Sequence, residues 1–575
     1  MATQPFRQFG TPVAFNSVAG FLHAAPGRMG VLMLSPWGFE EMTIRRGWGT
    51  LAATLAEAGL SCLRFDWPGT ADSLGASLDI TALETWREAV RNAATFLRET
   101  TGIDRLCVLG QGIGALLAIE MSHEIKADAL VVMAPAREGR AGVRELTAWS
   151  AMLASFLRIE TEVEGAAVNV MGFTLSKPFA DDLARFKLDR TAQQGAPPAL
   201  LLARPERAGD TDIAEALQAR GHAVTVEAYA QYDSFVAHQS TSVVPVEDFK
   251  KIAGYLVGLG GMEHRKTSLT PALTSDLAPP AFHERALSFG AAERLHGILC
   301  TPTGVSRALV VLVNSGYNPH IGWARMHVTI ARQLAERGVS SFRIDCSGLG
   351  DSDVAPGASG QLIYTDEQIA DIRAALDAVE PLDLGPLLLS GRCSGAYAAL
   401  QAGAADSRVK AIVAVNSLRL ILDPRETFEQ MMASGSSSLA DYRKRALSLT
   451  LLRDLVTFKL PVWTLARKVA PKILGLIAAK IAPYTGALTT IGRLQRALLD
   501  QAAGFMARGV KITLVYAEND GGRDELARYF GPMPASGYPH AEVRIITGTE
   551  HNMTAPHAQA AILDAISDTV AKLSV

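Results

Sequence analysis

The 575-residue sequence predicts two tandem α/β domains, each a mostly parallel, doubly wound sheet with a helical cap. Three observations predict it. Apolar runs of strand length alternate with helical segments such as WGTLAATLAEAGL and DEQIADIRAALDAV, the pattern of strands buried on both faces and joined by crossover helices. The chain also repeats itself. GVLMLSPWGFEEM (30–42) recurs as ALVVLVNSGYNPH (308–320), GLSCLRFDWPGTADS (59–73) as GVSSFRIDCSGLGDS (338–352), and LCVLGQGIGALLAI (106–119) as LLLSGRCSGAYAAL (387–400). Finally, the chain is longer than one ordinary hydrophobic core supports.

The repeats set the boundaries. Residues 1–259 form the first domain. Residues 260–284, GGMEHRKTSLTPALTSDLAPPAFHE, are rich in Gly, Pro, Ser and Thr without an apolar period and read as a linker. Residues 285–575 form the second domain, opening on a β-hairpin in RALSFGAAERLHGILCTP and carrying a cap over about 423–505. The balance of 55 basic and 58 acidic residues leaves a net charge of -3, which supplies no field for nucleic acid. Cys62, Cys107, Cys300, Cys346 and Cys393 show no CxxC spacing, so no metal site and no disulfide framework is expected, and a reducing cytoplasm fits. The N-terminal stretch lacks the basic and apolar regions of a secretory signal. In LPVWTLARKVAPKILGLIAAKIAPYTG (460–486), Arg467, Lys468, Lys472 and Lys480 interrupt the apolar run too closely for a membrane span. Helices capping an active site are favoured there over a basic amphipathic surface resting on anionic lipid.

The chemistry is expected in the second copy. Its strand LLLSGR turns sharply into a helix at GRCSG, where Gly391 and Gly395 permit strand and helix to approach and Cys393 stands at the turn. The helix N-terminus beginning near Ser394 supplies a positive dipole end and a free N–H, both suited to a thiolate and to an oxyanion. VKITLVYAENDGGRDE gives a later strand ending at Asp520, and AEVRIITGTEHNMT another ending at His551. Glu518 and Asp524 are alternative carboxylates. This arrangement resembles the α/β-hydrolase fold, in which GxSxG is the usual elbow and GxCxG a minority form found in dienelactone hydrolases and polyhydroxyalkanoate synthases. The resemblance implies that Cys393 is the nucleophile, His551 the base and Asp520 the carboxylate that fixes the histidine tautomer. It also implies that the backbone N–H groups of Tyr317 and Ser394 form the oxyanion hole. His320 reads as an exposed loop residue, and Asp345, Gly348 and Asp351 as a structural turn.

The first copy lacks these groups. Read with Gln111 at its elbow centre, it has an amide where a nucleophile is needed. Asp233 falls near the histidine position, and Glu206 or Asp210 near the acid. Residues 1–259 therefore read as a pseudoenzyme domain. GRAGVRELTAWSAML with VMGFTLSKPFADDLARFKLD resembles the cap of exosortase- and exopolysaccharide-associated hydrolases of the serine-aminopeptidase-like branch, which implies a bacterial polysaccharide, lipid or secondary-metabolite setting.

A cysteine nucleophile points to acyl transfer or thioesterase-type hydrolysis through an acyl-enzyme on a thioester or activated ester. A simple carboxylesterase with Cys in the Ser position and a non-catalytic scaffold are the alternatives. No cofactor is expected. The substrate is a small-molecule or carrier-bound acyl group, with acyl-coenzyme A or an acyl carrier as donor and Lys468 and Lys472 at the pocket rim. The first domain is expected to dock on the second or to recruit a partner protein.

Overall fold

The computed structural model describes residues 10–157, 163–260, 273–357, 360–433, 488–531 and 538–573. The apolar run 460–486 with Lys468 and Lys472, most of the second cap and the middle of the linker lie outside the described residues.

In the first half, β1 (Thr11–Phe15), β2 (Val18–His23), β3 (Met29–Leu34), β4 (Ser61–Phe65), β5 (Arg105–Gln111), β6 (Ala129–Met133), β9 (Ala199–Ala203) and β10 (Val224–Ala228) form one sheet, ordered β1-β2-β4-β3-β5-β6-β9-β10. The hairpin β1–β2 and the β2–β4 pair are antiparallel. Every pair from β4 onward is parallel. β7 (Ala166–Val170) and β8 (Phe173–Ser176) make a separate antiparallel ribbon. In the second half, β11 (Phe282–Phe289), β12 (Leu295–Pro302), β13 (Leu309–Val313), β14 (Ser340–Asp345), β15 (Leu387–Arg392), β16 (Val409–Val415), β17 (Lys511–Ala517) and β18 (Ala541–Ile546) repeat that order as β11-β12-β14-β13-β15-β16-β17-β18. Two sheets of identical strand order are what a tandem duplication predicts.

Burial explains the element types. β3, β4 and β6 are buried at every position, as strands covered on both faces must be. The helix Glu84–Thr101 buries Trp86, Ala89, Val90, Ala93, Ala94 and Leu97, one stripe at helical spacing. It stops at Gly102, whose φ of 64° is left-handed. Trp86 stacks on Trp67 at 4.6 Å between ring centroids and anchors this stripe.

The chain divides into two compact units. One holds residues up to Ile298 with Tyr317–Val328 and Ser347–Pro356; the other holds Leu299–Gly316, Thr329–Cys346 and the chain from Gly357. Two loops of the second repeat thus belong to the first unit, and charge holds them there. Asp351, fully buried, accepts from Arg45 Nε at 3.0 Å and pairs with Arg64 at 2.8 Å. Arg45 also pairs with Asp66 at 2.8 Å and with Glu41 at 2.9 Å. Arg325 donates to the carbonyls of Ala71, Gly75 and Ser73. His320, expected to be exposed, is buried, and its Nε2 lies 2.7 Å from Asp72 Oδ2. The correction has a charge-pairing cause: an anionic partner from the first repeat draws the imidazole inward, which the loop's own sequence does not reveal.

Candidate active site

The second unit gathers Cys393, His551 and Asp520. β15 ends at Arg392, the chain turns at Cys393 with φ 56° and ψ −120°, and the helix Ser394–Ala405 follows at once. A non-glycine residue in this left-handed region is strained, at a cost of order 1–3 kcal/mol. The close approach that enforces it is visible in the glycines. A Cβ on Gly391 would lie 2.4 Å from the Gly395 backbone, and one on Gly395 would lie 2.2 Å from the Asn314 carbonyl oxygen. Only glycine fits either place. Ser394 is buried, and its Oγ accepts from Gly316 N at 2.8 Å. Tyr317, the other expected oxyanion donor, opens the loop Tyr317–Val328 that groups with the first unit.

Two loops deliver the remaining groups. Asp520 follows β17, is 2% exposed, and accepts from Gly522 N at 2.8 Å through Oδ1. That hydrogen bond leaves Oδ2 for His551 Nδ1, at 2.5 Å. Among the three candidate carboxylates, Asp520 is therefore the one against the imidazole. His551 itself sits beyond β18, where its carbonyl accepts from Asn416 Nδ2 at 2.8 Å and from Arg392 at 3.3 Å. Asn416 at the end of β16 also accepts from Ala517 N at 2.8 Å, so one buried amide ties the histidine loop to the acid strand. Arg392 further donates to Asn552 Oδ1 at 2.9 Å. Sequence reading missed both residues. For Arg392 there was a signal, a cation closing an otherwise apolar strand.

The electrostatics favour an ion pair. Burial alone would raise the Cys393 thiol pKa, but the imidazolium of His551, the Arg392 guanidinium and the Ser394 N–H together hold it below its ordinary value. Burial alone would lower His551, but the Asp520 carboxylate and the Cys393 thiolate raise it to about 10. A thiolate beside an oriented imidazolium is a nucleophile with its proton donor already in place. The other four cysteines are buried, and burial pushes the thiols of Cys62 and Cys107 upward.

In the first unit the matching turn is centred one residue later than the sequence suggested. Gly112, not Gln111, has the apex conformation, with φ 59° and ψ −121°. A Cβ on Gly110 would meet Gly114 at 2.3 Å, as Gly391 meets Gly395. Gly110, Gly112 and Gly114 therefore stand where Gly391, Cys393 and Gly395 stand in the second repeat. Gln111 is the buried last residue of β5, donating to Glu40 Oε1 at 2.8 Å and accepting from Tyr229 at 3.1 Å. The apex residue carries no side chain. A Cβ there would lie 3.4 Å from Glu40 Oε2, so the carboxylate fills the space beside it. Asp210 is buried against Arg204 at 2.7 Å, and the helical turn Tyr232–Phe235, which includes Asp233, follows β10.

Among the described residues, His296, His320 and Asp351 bring ligand-type atoms within 4.8 Å of one another. Both Asp351 oxygens already face guanidinium groups. Two adjacent fixed positive charges oppose a divalent cation, and the cluster fits an ion-pair core better than a metal centre.

Comparison with known proteins agrees with this architecture. Residues 45–171 match the serine aminopeptidase, S33, family model, and residues 310–565 match the alpha/beta hydrolase family model. No curated protein matches the chain. Among solved structures, a cold-adapted esterase from an Arctic intertidal metagenomic library is 17% identical, covering 51% of this chain and 97% of its own, with TM-score 0.29. A lidless α/β serine hydrolase from Xanthomonas campestris is 13% identical over 52% of this chain and 97% of its own, with TM-score 0.30. Dienelactone hydrolase from Anabaena variabilis is 14% identical over 50% of this chain and 96% of its own, also with TM-score 0.30. Each aligns with about half of this chain. Two family-model matches in succession, over two sheets of one strand order, show the chain to be a tandem of two α/β-hydrolase-fold regions.

Proposed function

We propose that the second unit is an acyl-transfer enzyme, an acyltransferase or thioesterase, working through a Cys393 acyl-enzyme on a thioester or activated ester. The supporting observation is the aligned row of Asp520, His551 and a strained, low-pKa Cys393 at a glycine-flanked elbow. The thiolate attacks the acyl carbonyl, and the resulting oxyanion is held by the Ser394 N–H at the start of the helix. Collapse breaks the bond to the leaving thiol or alcohol, which takes the His551 proton. An acceptor alcohol, amine, thiol or water then gives its proton to His551 as it attacks the Cys393 thioester, and the thiolate departs. Asp520 holds the imidazole tautomer throughout. The first unit, with glycine at its apex, is a pseudoenzyme domain that docks on its neighbour or recruits a partner.

Intact-mass spectrometry after brief exposure to acyl-coenzyme A thioesters and p-nitrophenyl esters tests the reading. One added acyl group, absent in Cys393→Ala, is expected. Loading by neutral esters alone would favour a plain carboxylesterase. Absence of adduct and turnover with every donor would turn the proposal toward a non-catalytic scaffold.

A further inference from the structure

Asn416 takes no part in the chemistry above, yet it borders all three segments that carry the triad. It follows β16 directly, is fully buried, and has φ 47°, in the left-handed region. The carbonyl of its neighbour Val415 accepts from Cys393 N at 2.9 Å, which fixes the elbow against the end of β16. Asn416 Oδ1 accepts from Ala517 N at 2.8 Å, and the Ala517 carbonyl accepts from Asp520 N at 3.1 Å, so the acid turn hangs from a residue that Asn416 holds. Asn416 Nδ2 donates to the His551 carbonyl at 2.8 Å. One carboxamide thus spans the acid and histidine loops, whose side chains meet at the His551 Nδ1 bond to Asp520 Oδ2.

The first repeat supplies the control. Ala134 follows β6 as Asn416 follows β16, and its φ of 40° is also left-handed. Gly112 N donates to the Met133 carbonyl at 3.2 Å, and Ala134 N to the Leu202 carbonyl at 3.3 Å. The matching bonds of the second repeat run from Cys393 N to Val415 and from Asn416 N to Val515, at 2.9 and 2.8 Å. The left-handed turn and its ladder therefore form with a methyl group alone. What the amide adds is the bridge between the two loops, in the repeat whose apex is cysteine and not in the one whose apex is glycine.

We propose that Asn416 is a positioning residue of the second unit, whose side-chain amide locks the acid and histidine loops in the register that keeps the His551 imidazole on the Asp520 carboxylate. This rests on Cys393 being the nucleophile. A buried N–H and a buried carbonyl both need partners, and a single carboxamide that satisfies the two removes the freedom of the loops to slide past one another. Arg392 adds a longer bond to the same His551 carbonyl, at 3.3 Å, so removing the amide loosens the loop without releasing it.

The test is the pH dependence of Cys393 alkylation by iodoacetamide in the full chain, for wild type, Asn416→Ala and Asn416→Gly. Alanine reproduces the residue of the first repeat, and glycine adopts the left-handed backbone without strain. A loosened imidazolium is expected to move the thiol midpoint up by about one pK unit, with alkylation at pH 7 slowed about tenfold. Near-UV circular dichroism selects the variants that retain the native fold. A native-like variant that titrates as wild type does would overturn the assignment, and so would the failure of both variants to fold, since Ala134 shows the turn forming without the amide. If no acyl donor loads the wild type yet the midpoint moves, the acyl-enzyme reading fails and the role of Asn416 stands.

Discussion

Replacing Asp520 by Asn keeps the size of the side chain beside His551 and removes its charge. The substitution acts on a 2.5 Å bond from His551 Nδ1 to a carboxylate that is 0% exposed, facing an imidazole that is 16% exposed. His551 is raised from 6.5 to about 10, with burial opposing and Asp520 the largest contribution in favour. At about 1.4 kcal/mol per pK unit that net rise corresponds to roughly 5 kcal/mol, which Asp520 and the Cys393 thiolate together contribute beyond the opposing burial. In Asp520→Asn the imidazolium is therefore expected to lose its proton near neutrality, and the thiol loses its strongest cationic neighbour. The Cys393 midpoint should rise toward the ordinary thiol value of about 8.5, where only a few per cent of thiolate remains at pH 7. The measurement is the iodoacetamide rate from pH 5 to pH 10, with the labelled peptide identified by mass. Cys62, Cys107, Cys300 and Cys346 are buried, so the signal belongs to Cys393. A fall of about tenfold or more at pH 7 is expected. Coincident profiles for the two proteins would refute the ion-pair reasoning.

Other expectations follow from the same structure. Acyl transfer should show a bell-shaped pH profile, rising below the ordinary thiol range as Cys393 deprotonates and falling toward pH 10 as His551 loses the proton it must donate; a profile still climbing at pH 10 would contradict it. Gly395→Ala puts a Cβ 2.2 Å from the Asn314 carbonyl and should cost about 1–3 kcal/mol while misplacing Cys393. Gly504→Ala, in the helix Thr490–Ala507 with nothing within 4 Å of the new methyl, should instead stabilise by about 0.5–1 kcal/mol. Thermal unfolding that gave both changes the same sign would defeat this comparison. Asp351→Ala removes the buried carboxylate that both Arg45 and Arg64 face and should cost about 3–5 kcal/mol, lowering the calorimetric transition of the first unit by several degrees. Because Asp351 is held far below the usual carboxylate range, its contribution is present above about pH 4 and disappears only as pH falls below that range.

The alternation of strands and helices, the duplication and the elbow at Cys393 were legible in the sequence because each rests on local pattern. Buried strands need unbroken apolar runs, and a sharp strand-to-helix turn needs small residues two places either side of its apex. Asp520 and His551 were legible as the ends of late strands. The choice of Asp520 over Glu518 and Asp524 was not, since it depends on a turn in which Oδ1 binds Gly522 N and leaves Oδ2 toward the imidazole. The first elbow misled for a related reason. GQGIG has glycine at the flanks and at the apex, so composition alone does not show which residue bears the strain, whereas the dihedral angles of Gly112 do.

The sequence by itself thus determined the doubly wound architecture, its repetition, and a cysteine at the glycine-flanked elbow of the second repeat only, because periodicity and glycine spacing are properties of contiguous chain. Only the tertiary structure decided that His320 and Asp351 are buried in the charge network of the first unit and that Asn416 and Arg392 brace the histidine loop. Those interactions join residues separated by tens to hundreds of positions. Their strength comes from desolvated charge and enforced backbone geometry, neither of which leaves a periodic trace in the order of amino acids.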